Sequence, residues 1–180
     1  GDNVMRIRKN PYVWIGAGTV FLLDLTRDGF VDWLPAYLDA QGVAEKANAK
    51  FYMKRCIHPL AGSAGAFLAG WATDRFFGGR RAPVIAVLLT VLGVASIVFP
   101  YIDPSQGWLV IAIVALVGFC TYGPHILMVG HAAQDFGKKK GAAGAAGFID
   151  GMGYIGASLA GWGAGRLIKM PDIGYKYTFI

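Results

Sequence analysis

Long runs of this chain carry no charge, and those runs decide what it can fold into. Ala82 to Ile102 contains no Asp, Glu, Lys or Arg, and neither does Pro104 to Gln134, where His125 and His131 are the polar exceptions. Ile57 to Thr73 interrupts its apolar character only with His58, and Gly141 to Gly165 only with Asp150. Each run approaches the ~20 residues that cross a hydrocarbon core. A soluble helix would alternate apolar and polar faces over such a length. These segments do not, so the chain reads as an all-α membrane protein, a polytopic helix bundle.

A further apolar stretch, from Tyr12 onward, belongs with them although it carries charge in its interior. Together they predict about five spans, drawn over residues 12–38, 51–76, 83–101, 108–134 and 141–169. Pro83 suits a first helical turn, and Asp103 to Gly107 reads as a short polar turn. The whole of residues 1–180 is expected to be one membrane domain, an incomplete piece of a longer polypeptide that stops as another span opens at Tyr177.

The net charge of +6 points to nucleic acid only until the basic residues are placed. Arg6, Arg8 and Lys9 precede the first span, Arg75, Arg80 and Arg81 follow the second, and Lys138, Lys139 and Lys140 follow the fourth. An up-and-down path puts all of them on one side, the positive-inside pattern of a cytoplasmic face. The basic residues are therefore topological signals facing membrane lipid, and no nucleic-acid partner is expected. Cys56 and Cys120 fall at a membrane edge and in mid-span, which argues against a disulfide between them, and neither belongs to a metal-spaced cluster.

Arg27 is the residue that asks for a function. It lies roughly 22 Å along a helix that starts at Tyr12, past the middle of the bilayer. A guanidinium there costs about 2.5–3.5 kcal/mol and cannot shed its proton. Asp24 precedes it by three residues, Asp28 follows it directly, and Asp32 comes one turn later, so these side chains share a helix surface. Either Asp24 neutralises Arg27 as packing glue, or Arg27 lines a water-filled path and grips a phosphate or carboxylate through its planar fork. One arginine would not balance a phosphate ester of about −1.5 to −2 charge, so a partner cation is expected elsewhere.

Other intramembrane polar residues are candidates for the same path. Asp150 sits inside the fifth span, where an ion pair, proton coupling and contact with substrate are all open. His125 follows Pro124, which should kink the fourth span, and is either a hydrogen-bonded core residue or pathway-lining. Lys54, Arg55 and His58 are placed at the outer end of the second span, either snorkelling to the interface or gathering anions there. Glycines of the second and fifth spans, among them the pairs Gly147/Gly151 and Gly161/Gly165, are expected to let helices approach closely. No catalytic constellation, metal cluster or cofactor-binding loop stands out, so no enzyme, metal or cofactor is expected.

The loop Gly70-Trp71-Ala72-Thr73-Asp74-Arg75-Phe76-Phe77-Gly78-Gly79-Arg80-Arg81 resembles the loop signature of the major facilitator superfamily. Its Gly70, Asp74, Arg75, Arg80 and Arg81 are spaced as in the organophosphate:inorganic phosphate antiporters. Arg27 to Leu38, Tyr122-Gly123-Pro124, Lys139 to Phe148 and Gly153-Tyr154-Ile155-Gly156 are similar to the same family, whose members carry glycerol 3-phosphate or hexose 6-phosphate. The resemblance implies a major facilitator fold, the chain supplying five helices of the carboxy-terminal six-helix half. It also implies exchange of an organic phosphate for inorganic phosphate by alternating access in a bacterial inner membrane, together with the missing amino-terminal half. Arg27 matches the family's phosphate-binding arginine of the seventh helix, whose partner arginine lies in that other half. Asp24, Asp28 and Asp150 depart from the glycerol-phosphate members. A transporter-like sensor of sugar phosphate, or a carrier of another organic anion, is the alternative.

Overall fold

In the computed structural model, which describes residues 11–40, 49–103 and 106–167, every regular element is helical. Side chains are described for these residues except 33–40, 49–55, 131–142, 164 and 167. Helix α1 spans Pro11–Ala40, α2 Ala49–Phe76 and α3 Ala82–Val98, followed by a single 3-10 turn, Phe99–Tyr101; α4 runs over Gly107–Leu167.

At 61 residues, α4 would be about 90 Å long if straight, three bilayer cores end to end. It is not straight. His125 and Asp150 would be separated by about 37 Å on a straight helix, yet their side chains approach to 3.9 Å. Met128 and Val129 likewise share an apolar cluster with Phe148, Ile149 and Met152. The helix therefore doubles back between Gly130 and residue 143 into two antiparallel arms with no non-helical residue between them. The connection expected around Lys138 to Lys140 is thus helical, because alanine and lysine on either side of Gly141 sustain helix geometry well.

The other helices pack chiefly on α4 and only marginally on one another. Helix α1 lies between the two arms. Its first half, Val13, Ala17 and Val20, meets Ile149 of the second arm, and Trp14 sets its ring edge-on to Phe148 at 5.1 Å. Farther along, Leu23 and Phe30 join Val110, Val114, Val117 and Cys120 of the first arm with Leu92, Ala95 and Phe99. These pairings run α1 parallel to the second arm and antiparallel to the first. Helix α3 runs antiparallel to the first arm, and α2 runs along it, joined by Ala69, Val84 and Leu127.

The outward faces are as apolar as the core. Val87, Val94 and Ile97 of α3 are all more than half exposed, as are Leu60, Phe67 and Trp162. Water would not tolerate so many large apolar side chains on one small surface; lipid does. By length and composition, Ala82–Tyr101 and Gly107–Gly130 are each apolar enough to cross a membrane. Tyr101, Trp108 and Trp162 gather near one end of the bundle, with Arg166 lying 4.5 Å over the Trp162 ring, as interfacial residues do.

Glycine sets how closely the helices approach, but not at the pairs that one-turn spacing singles out. Gly147, Gly151 and Gly161 have open space where a Cβ would project. The tight contacts are at Gly156, where a Cβ would overlap the Phe21 carbonyl, and at Gly153, where it would overlap Asp24. On the other side of the bundle Gly65 abuts the Phe119 carbonyl and Gly118 the His58 carbonyl. Spacing locates a small-residue stripe; only the rotation of the helix about its axis decides which stripe meets a neighbour.

Candidate substrate-binding site

The charged turn of α1 lies where that helix meets both arms of α4. Arg27 donates from Nε to Asp28 Oδ1 at 2.8 Å, with its NH2 at 3.5 Å from the other oxygen of that carboxylate. Its NH1 sits 3.1 Å from Asp24 Oδ1. That oxygen nevertheless has no hydrogen bond among the described residues, so charge rather than an aligned N–H holds the second pair. Asp24 is 2% exposed, lying with Val20 against Gly153. Helix geometry places Asp24 beside Arg27 and Asp28, since residues three and four apart share a face; the contact between the adjacent Arg27 and Asp28 comes from the reach of the arginine side chain.

The α4 hairpin supplies the other half of the cluster. Its first arm carries His125 and its second Asp150, and folding back brings them together. His125 Nε2 stands 3.5 Å from Asp24 Oδ1 and 3.9 Å from Asp150 Oδ1. The structure therefore unites Arg27, Asp24, Asp28, His125 and Asp150 in one constellation. Burial is graded across it: Asp24 is sealed, the side chains of Arg27, His125 and Asp28 are 18%, 20% and 23% exposed, and Asp150 is 37% exposed.

Two neighbours of this cluster were not picked out from the sequence as part of it. Tyr122, one turn before His125, lies within electrostatic reach of Arg27. His58 is not at an exposed helix end but 4% exposed in the bundle, its ring 5.9 Å from that of Tyr122. Both His58 nitrogens lack hydrogen-bond partners among the described residues. Its depth follows from the α2–α4 contact at Gly118, which no reading of α2 alone can supply. Gly62 opposite Tyr122, where a Cβ would strike the ring, was the available signal. The side chains of Lys54, Arg55 and His131 lie outside the described residues.

The loop-signature residues stand apart from this cluster. Gly70, with open space around it, precedes Asp74 and Arg75, both exposed in the last turn of α2. Arg80 and Arg81 follow the turn that leads to α3. Gly78 and Gly79, at φ +56° and +83°, take left-handed conformations that a side chain would resist, and Gly79 N–H closes the helix end on the Thr73 carbonyl at 3.1 Å. A crevice of about 360 Å³ between α1 and α3 is equally separate. Its walls include Thr19, Thr26, Leu89, Gly93 and Ile97, none of them charged, so its chemistry is that of a helix seam. Cys56 and Cys120 are both free, and no group of metal-ligating side chains occurs among the described residues.

Residues 3–161 match the Major Facilitator Superfamily model. The chain belongs to that superfamily. It is therefore an integral membrane protein. It is 35% identical to the glycerol-3-phosphate transporter of Bacillus subtilis, over 84% of this chain and 34% of the relative. It is 30% identical to the membrane sensor protein UhpC of Escherichia coli, over 88% of this chain and 36% of the relative. It is 29% identical to a probable hexose phosphate transport protein of Chlamydia pneumoniae, over 95% of this chain and 37% of the relative. These relatives correspond to the organophosphate:phosphate antiporter family. The chain spans just over a third of the length of these curated relatives. No solved structure matches it.

Proposed function

We propose that this chain forms part of a secondary carrier, in a bacterial inner membrane, that exchanges an organic phosphate for inorganic phosphate by alternating access. The observation that carries the reading is Arg27: a guanidinium in mid-helix, held by Asp24 and Asp28, whose side chain is still 18% exposed. A membrane interior tolerates such a charge where it meets an anion or lines a polar path. The names of the relatives supply the class of anion, a sugar phosphate or glycerol phosphate. The short coverage of those relatives supports a second half that completes the site with a further cation, since major facilitator carriers bind substrate between two halves.

Arg27→Lys keeps the charge and removes the planar fork. Phosphate and glycerol phosphate affinity of the full-length protein should fall about 10- to 100-fold, the worth of one charge-assisted hydrogen-bond pair. Binding measured by titration calorimetry at matched protein quality decides it, and parent-like affinity in Arg27→Lys would remove Arg27 from the site.

The resemblance to a membrane sensor favours one other reading, in which the same site binds sugar phosphate and reports it. Counterflow of labelled phosphate in vesicles separates the two: a carrier exchanges label, a sensor binds without exchange.

A further inference from the structure

Among the described residues, buried polar atoms without a hydrogen bond occur at Asp24, His58 and Ser96, and only His58 leaves two of them. Asp24 has the Arg27 charge beside it at 3.1 Å, and Ser96 belongs to the seam between α1 and α3. Neither account covers His58. Its side chain is 4% exposed, and Nδ1 and Nε2 are both sealed from solvent with no partner. Burying a polar group in that way is unfavourable, whereas a phenylalanine would fill the same space at no such cost. The imidazole cannot draw back, because Gly118 lies directly against the His58 carbonyl and clamps α2 to the first arm of α4 at this point. A polar ring held in place with its hydrogen bonds unmade marks where a partner arrives.

The surroundings say what kind of partner it is. His58 lies within electrostatic reach of both Arg27 and Asp28, so it borders the charged turn of α1. Tyr122 links the two: its ring meets His58 edge-on at 5.9 Å, is half-buried, and is itself within electrostatic reach of Arg27. A neutral imidazole carries one N–H donor and one bare nitrogen that accepts. An alcohol hydroxyl can answer either nitrogen, whereas a fully ionised phosphate oxygen can answer only the N–H. With the phosphate on Arg27, what an organic phosphate adds over inorganic phosphate is a chain that bears hydroxyls. We propose that His58 is the specificity-determining residue for the organic part of the substrate: a hydroxyl of a sugar or glycerol phosphate displaces the edge of Tyr122 and hydrogen-bonds the imidazole. Inorganic phosphate has no group that extends past Tyr122, so it leaves His58 covered, and the two substrates are told apart at this ring. This rests on the reading of Arg27 as phosphate ligand.

The test is titration calorimetry on the full-length protein with inorganic phosphate, glycerol 3-phosphate, glucose 6-phosphate and propyl phosphate, the last an ester whose carbon chain has no hydroxyl. The parent should bind the better of the two hydroxyl-bearing esters about 5- to 100-fold more tightly than propyl phosphate, the range for leaving a buried polar group unpaired. His58→Phe keeps a ring and removes both polar atoms. It should abolish that preference, and the preference over inorganic phosphate should fall by the same factor. His58→Leu gives the same reading if the phenyl ring does not fit. His58→Asn, which retains a donor and an acceptor, should recover part of the preference. A residue that only packs, or that only holds a buried water, would move all four affinities together or none of them. An unchanged preference in His58→Phe or His58→Leu therefore overturns the proposal, as does a parent that prefers neither hydroxyl-bearing ester to propyl phosphate. Arg27→Lys separates the two readings. Parent-like phosphate binding in that variant overturns both, whereas lost binding there beside an unchanged preference in His58→Phe overturns only this one.

Discussion

Helices α1 and α3 resolve the same problem in opposite ways. Helix α3 has no charge and turns Val87, Val94 and Ile97 outward while Leu92, Ala95 and Ser96 face in. Helix α1 also presents apolar side chains outward, with Ile15 65% and Leu22 62% exposed, but it places Asp24 among its most buried residues. In water a carboxylate would be expected outside and a leucine inside. The comparison teaches that hydrophobicity here marks the lipid boundary, while charge is held in the interior of the bundle. Helix α3 has no charge to hide, whereas α1 carries its charge into the contact with both arms of α4.

The contrast can be broken by exchanging the two logics. Asp24→Leu removes the sealed partner of Arg27, and losing one member of a buried pair costs about 3–5 kcal/mol. Thermal unfolding in detergent should register this as the largest loss among these variants; a change under about 1 kcal/mol would show that Asp28 alone satisfies Arg27. Putting charge on the scaffold helix should come next. Val94→Arg places a guanidinium on the lipid face of α3 and should cost about 2.5–3.5 kcal/mol, read as loss of membrane-inserted, monodisperse protein.

A glycine pair sharpens the comparison at the helix seam. Gly153→Ala drives a Cβ into Asp24 and should destabilise by about 1–3 kcal/mol, the usual range for overpacking. Gly151→Ala, two residues away with open space around it, should be neutral or gain up to about 1 kcal/mol from helix propensity. Equal effects in the two variants would mean that α1 does not meet the second arm along Gly153. The smallest effect belongs to α3. Ser96 buries a hydroxyl with no hydrogen bond among the described residues, so Ser96→Ala should leave stability unchanged or raise it by about 1 kcal/mol. A loss of more than about 1 kcal/mol would reveal a partner for that hydroxyl.

Much of the bundle is legible in the sequence because lipid simplifies the code. A backbone inside a bilayer must satisfy its own hydrogen bonds, so an apolar run of spanning length has to be helix. The charge-free run that became α3 could be nothing else. The site was legible in part for the same reason. Arg27 stands out because a charge is expensive at that depth, and Asp24 follows from 3.6-residue periodicity, whereas the contact with the adjacent Asp28 does not. His58 was misplaced because its depth is defined by Gly118 on another helix, and Gly147, Gly151 and Gly161 were misread because helix rotation is a property of the pair.

Local rules therefore determined which segments are helices, that they lie in a membrane, and that α1 carries a charged turn, since periodicity and solvation act on each segment by itself. Tertiary structure alone decided that α4 doubles back without leaving helix geometry, that His125 comes to stand near both Asp24 and Asp150, and that Gly153 and Gly156 rather than their neighbours admit α1. The physical reason is that these are contacts between residues far apart along the chain. They are set by how rigid helices rotate and fit against one another, and no window of sequence contains both partners.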